Sequence, residues 1–96
     1  MERKLNTSLV SIIQLVKKLA LAFILINVET GMENEVLQEV SKVPGVREAY
    51  LVYGVYDLLV KIEAESAGAL REAVINHIRR LSGVRSTLTM MVVGVG

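Results

Sequence analysis

Lys42-Val43-Pro44-Gly45-Val46-Arg47 is echoed by Arg80-Leu81-Ser82-Gly83-Val84-Arg85, each residue 38 positions further on. Each copy follows a segment with helical apolar spacing and precedes a β-rich one. Ahead of the first copy the helical stripe is Val36, Val40 and Val43; the same register carries it to Val74, Ile78 and Leu81, with Leu70 one turn earlier. Both halves therefore end a helix at a Gly-Val-Arg turn.

A strand precedes each helix. Residues 22–28 form an apolar, β-rich run, and residues 56–64 alternate, with Leu58, Val60 and Ile62 on one face and Asp57, Leu59, Lys61 and Glu63 on the other. Another strand follows each helix, over 46–53 and 85–93. The order is β-α-β twice, with only Gly54 and Val55 between the halves. This is the split βαβ, ferredoxin-like pattern βαββαβ, an α+β fold. Right-handed crossovers set both helices on one face of a four-stranded antiparallel sheet.

The opposite face is left open. On the last strand Leu88, Met90 and Val92 are set toward the helices, and Thr87, Thr89 and Met91 on the open face with Phe23, Leu25 and Leu59; the inverse phase is the alternative. So apolar a face calls for a dimer built sheet against sheet. Before the repeat, Leu9, Ile12, Ile13, Val16, Leu19 and Ala20 follow helical spacing, and Thr7 or Ser8 can cap them. Residues 1–21 are thus expected to be a helical extension and 22–96 the folded domain.

Ninety-six residues make one domain, and 52% hydrophobic content at a mean hydropathy of +0.47 is oily for its size, which again points to subunit contacts. A net charge of +1, from 11 basic and 10 acidic residues, offers no basic stripe for a phosphate backbone, so direct nucleic-acid binding is not expected. Cysteine is absent, which excludes disulfides, thiolate metal sites and a cysteine nucleophile. Gln14, Lys17 and Lys18 interrupt the apolar stretch 9–26, against both a membrane span and a signal peptide; the chain reads as cytoplasmic. Asn6-Thr7-Ser8 fits a glycosylation sequon without a secretory context.

One histidine and scattered carboxylates supply no metal cluster and no nucleophile–base pair, so neither an enzyme nor a cofactor is expected. His77 reads as a residue at the edge of the core. Val52-Tyr53-Gly54-Val55-Tyr56-Asp57 is more informative. Amides beside Gly54 can bind a small carboxylate and Asp57 an ammonium, which suits the zwitterionic end of an amino acid. The competing reading is a plain hairpin in which Gly54 supplies positive φ and Asp57 bonds local backbone. Thr87 and Thr89 share a strand face and can present two hydroxyls. Tyr50, Tyr53 and Tyr56 gather around the hairpin, as packing first and ligand wall second. An RNA platform would need stacking aromatics with basic neighbours, and Phe23 alone is not that.

Residues 22–28, the Pro44-Gly45-Val46 turn, Tyr53-Gly54-Val55-Tyr56-Asp57-Leu58-Leu59-Val60 and Gly83-Val84-Arg85-Ser86-Thr87 resemble the regulation-of-amino-acid-metabolism domain of Lrp/AsnC transcription regulators. The resemblance covers roughly the last three quarters of the chain. It implies a βαββαβ domain that dimerises through its sheets, assembles dimers into rings and binds effector amino acids between dimers. It places Gly54, Tyr56 and Asp57 at the effector pocket with Tyr53 beside them, and Thr87 and Thr89 from the last strand of the same or a neighbouring subunit. Family regulators carry a helix-turn-helix domain before the first strand, and residues 1–21 are too few and too weakly basic to be one, so the likeness is to a stand-alone form.

The function so implied is an amino-acid-sensing module, working as a ring-forming homo-oligomer or co-assembled with full-length regulators. The alternatives are a ligand-free oligomeric scaffold or decoy, an ACT-like regulatory subunit of an amino-acid metabolic enzyme, and a small dimeric ferredoxin-like enzyme.

Overall fold

Along residues 21–28, Ala22, Ile24, Ile26 and Val28 are buried while the residues between them are half-exposed, the signature of a strand with one face on a core. This is the centre of β1 (Ala20–Val28). The computed structural model describes residues 19–96. After β1 come α1 (Glu33–Ser41), β2 (Val46–Leu51), β3 (Leu58–Ala64), α2 (Ala67–Ala73), a π turn that continues α2 over Val74–Ile78, and β4 (Val84–Met91). The sheet order is β2-β3-β1-β4 with antiparallel neighbours throughout. The fold is the expected ferredoxin-like α+β sandwich.

The core is apolar, with Ile24, Ile26, Leu58, Val60 and Ile62 from the central strands packed against Val36, Val40 and Val43 of the first helical segment and Leu70, Val74 and Ile78 of the second. The sequence repeat is a structural repeat. The Val46 amide donates to the Val43 carbonyl at 3.1 Å, and 38 residues on the Val84 amide donates to the Leu81 carbonyl at 3.2 Å. Gly45 and Gly83 take φ of +94° and +93°, a region that disfavours any side chain.

The two helices differ in one turn. Apolar positions in α1 follow the 4-3 spacing of an α-helix. Those of the second segment are spaced 4-4-3, and in a regular helix each four-residue step drifts about 40° around the axis. Leu70, Val74 and Ile78 are nevertheless buried together at 0, 4 and 0% exposure. The π turn absorbs the drift: the Arg79 amide reaches five residues back to the Val74 carbonyl at 2.9 Å.

Several expectations are corrected. β1 starts at Ala20, so Ala20 and Leu21 open a strand and Leu19 lies in no helix, while residues 1–18 of the expected N-terminal extension fall outside the described residues. The halves are joined by the six residues Val52–Asp57, not by two, closed by the Val52 amide donating to the Asp57 carbonyl at 2.8 Å. Gly54 does not adopt positive φ. On β4 the inverse phase is realised, because Thr87, Thr89 and Met91 pair with the buried Ile26, Ile24 and Ala22 and so share the helix side. Leu88 and Met90, at 45 and 44% exposure, lie on the open face with Leu25 and Phe23. His77 is exposed and not a core-edge residue.

Candidate functional site

β4 is an edge strand, and α2 does not cover all of its helix-facing side. Between them lies a cleft of about 400 Å³ with Thr87, Thr89 and Met91 on one wall and Ala67, Arg71, Ile75 and Arg79 among the residues of the other. Ser66 starts the helical wall by accepting a hydrogen bond from the Ala69 amide at 3.0 Å. The two threonines sit two residues apart on one strand face, so both hydroxyls front the same space.

A second cleft, of about 500 Å³, opens at the end of β1 and is more polar. It is lined by Asn27, Thr30, Glu33, Asp57, Arg85 and Ser86, with Val28. The Asp57 carboxylate accepts a hydrogen bond from the Val28 amide at 2.8 Å, while the Asp57 amide donates to the Ile26 carbonyl at 2.9 Å. Asp57 is thereby locked to the neighbouring strand. Asn27 donates from its side-chain nitrogen to the Ser86 hydroxyl at 3.1 Å, tying β1 to β4 at the floor of this cleft.

The expected site residues are thus divided among three places in one protomer. Thr87 and Thr89 stand in the α2–β4 cleft, and Asp57 in the polar cleft. Tyr53 and Gly54 project on the exposed loop beyond β2, with Tyr56 half-exposed at its base. That loop joins β2 to β3, two strands away from β4 across the sheet. No single protomer brings Tyr53 and Gly54 to the threonines.

Sequence reasoning did not single out Arg71, Arg79, Arg85, Asn27 or Ser86. For Asn27 and Ser86 no local pattern exists, since their pairing depends on which strands are neighbours. Arg71 and Arg79 stand eight positions apart, which a regular helix turns about 80° away from each other. Among the described residues no three histidine, cysteine or acidic side chains are placed to hold a metal ion. No helix among them is long and apolar enough to cross a membrane.

Residues 21–95 match the profile of the Lrp/AsnC ligand-binding domain. The chain belongs to the Lrp/AsnC family. An uncharacterised HTH-type transcriptional regulator of Pyrococcus horikoshii is 41% identical over 73 residues, which is 73% of this chain and 49% of that protein. The chain spans about half the length of the curated relatives it matches. Among solved structures, FFRP-DM1 is 38% identical with a TM-score of 0.74 over 77% of this chain and 99% of that one. Escherichia coli AsnC is 28% identical with a TM-score of 0.77 over 85% of this chain and 55% of AsnC. In this Lrp/AsnC domain, then, the β4 threonines and the projecting hairpin lie on a fold whose family is a ligand-binding one and whose relatives include transcription regulators.

Proposed function

We propose that this Lrp/AsnC domain is a cytoplasmic effector-binding module that holds a free amino acid between protomers. The observation that carries the reading is the division of the site. One protomer presents an open cleft with two threonine hydroxyls, and elsewhere a projecting loop that the described residues leave uncovered. A second protomer's loop laid against the cleft supplies what the first lacks. Amides near Gly54 then take the ligand's carboxylate, Asp57 takes its ammonium, Tyr53 and Tyr56 wall the pocket, and Thr87 and Thr89 complete it.

Protomers first pair through the open sheet face, where Phe23, Leu25, Leu59, Leu88 and Met90 leave apolar surface to be covered, and dimers then assemble further into a ring. The module acts through assembly, either with copies of itself or with full-length regulators that contact DNA. Its own net charge of +1 gives it no direct grip on nucleic acid.

A thermal-shift screen of the purified chain against the common amino acids tests this. A ligand that binds only the folded state stabilises it by about 2.7 kcal/mol at a hundredfold excess over Kd. Asp57→Asn is the informative variant. It keeps an acceptor for the Val28 amide while removing the charge, so the fold stays and the ligand-induced shift is lost. An unchanged shift in Asp57→Asn makes Asp57 a hairpin residue, and no shift with any amino acid leaves the scaffold reading.

A further inference from the structure

Arg71 and Arg79 share the helical wall of the α2–β4 cleft because of the π turn. Eight residues of α-helix would set them about 80° apart. The π turn takes up one residue, about 100° of rotation, and returns Arg79 to within about 20° of Arg71. Ile75 lies between them on the same wall, and Thr87 and Thr89 face them from β4.

The charge of this cleft is one-sided. It is lined by two guanidiniums, and none of its lining residues carries a carboxylate. The ion pairs among the described residues engage Lys42, Arg47 and Lys61 with Glu39, Glu63 and Glu48, and neither Arg71 nor Arg79. The neighbouring cleft has the opposite balance, with Glu33 and Asp57 against Arg85. A neutral amino acid offers one carboxylate, and the hairpin amides already serve it in the reading above. Two guanidiniums without a carboxylate partner among the described residues ask for a second, since arginine matches carboxylate geometry through paired N–H donors.

We infer that the effector is an amino acid with an acidic side chain, of the aspartate or glutamate class, and that Arg71 and Arg79 select it by holding the side-chain carboxylate. The inference rests on the effector-binding reading proposed above and sharpens it. The threonine hydroxyls donate to the same carboxylate or to the backbone end, and a cleft of about 400 Å³ accommodates a ligand of this size.

The test is calorimetric titration of the full 96-residue chain with L-glutamate and L-aspartate, each against its amide, L-glutamine or L-asparagine. Each pair differs by a charge at nearly constant shape. One of the acids is expected to bind at least about tenfold more tightly than its amide. In Arg71→Gln and Arg79→Gln, both at exposed positions, that preference falls below about threefold, because the acid loses more affinity than the amide. If an amide, an aliphatic or a basic amino acid binds as tightly as the acids, the arginine assignment is overturned and the effector reading stands. An acid preference that survives in both variants also overturns the assignment. If no amino acid binds, the effector reading itself fails and takes this inference with it.

Discussion

Gly45 and Gly83 occupy equivalent turns of the two βαβ halves and hold the same backbone conformation, at φ of +94° and +93°, but what surrounds them differs. A Cβ at Gly45 would lie 2.4 Å from the Glu63 carbonyl oxygen, against backbone that cannot give way. At Gly83 it would meet the Met32 and Val36 side chains at 3.0 Å, and methionine can move. The helices that lead into these turns differ as well, one regular and one widened by a residue. The second half carries the widened helix and the turn with the more yielding neighbours, and the α2–β4 cleft lies beside that helix. Repetition in a sequence thus sets the same path twice without setting the same tolerance, because tolerance depends on what each copy packs against.

Deleting one exposed residue from each helix separates the halves most sharply. Removal of Gln38 from α1 rotates one side of the helix by about 100°, so Val36 or the pair Val40 and Val43 must leave the core. Two buried valines are worth about 3–6 kcal/mol, comparable to the stability of a small domain, and the variant is expected to be unfolded by circular dichroism. Removal of Asn76 from the π turn instead restores the spacing of α1. Val74 and Ile78 become three apart and stay buried, and the melting temperature should change by only a few degrees. Equal damage from both deletions would mean that the π turn is not slack.

The glycines follow in size. Gly45→Ala combines an unfavourable φ with a backbone clash and should cost about 3–5 kcal/mol in urea unfolding. Gly83→Ala, with the same φ against a flexible neighbour, should cost about 1–2 kcal/mol. Costs that are alike would show that the surroundings do not matter and that φ alone decides. Gly54, which has ordinary φ and open space at its Cβ position, gives the baseline: Gly54→Ala should stay within about 0.5 kcal/mol.

The smallest effect lies on β2. The hydrogen bond from Tyr50, and after it that from Lys61, holds the Glu48 carboxyl below its ordinary pKa, while Glu48 holds the Tyr50 hydroxyl above its own. A lowered carboxylate pKa stabilises the fold above the ordinary carboxylate range, and that contribution is lost as pH falls through the lowered value. A raised tyrosine pKa stabilises below the ordinary tyrosine range and is lost as pH rises through the raised value. Tyr50→Phe removes the bond, so parent and variant should differ slightly in melting temperature near neutral pH and converge in acid. Both groups are exposed, and the effect is small.

Much of this was legible in the chain. The 38-residue repeat marked both turns, and the apolar stripes marked both helices and the buried face of β3. The π turn left a trace in the 4-4 spacing of Leu70, Val74 and Ile78, since a regular helix does not keep two successive four-residue steps on one line. The phase of β4 left none, because both of its faces carry apolar residues: Leu88 and Met90 on one, Met91 on the other. Val52–Asp57 reads as a two-residue hairpin from its glycine, yet the strands stop pairing earlier, where Asp57 turns its amide to the Ile26 carbonyl.

The amino-acid sequence by itself determined the βαββαβ order, the core stripes and the family likeness, because periodicity and turn chemistry act between residues close in the chain. Only the tertiary structure decided which sets of residues share a cleft. It separated Thr87 and Thr89 from Tyr53, Gly54 and Asp57, and aligned Arg71 with Arg79 through one extra residue in a turn. Those outcomes depend on how strands two positions apart in the sheet line up and on how far α2 covers β4, and no local spacing encodes either.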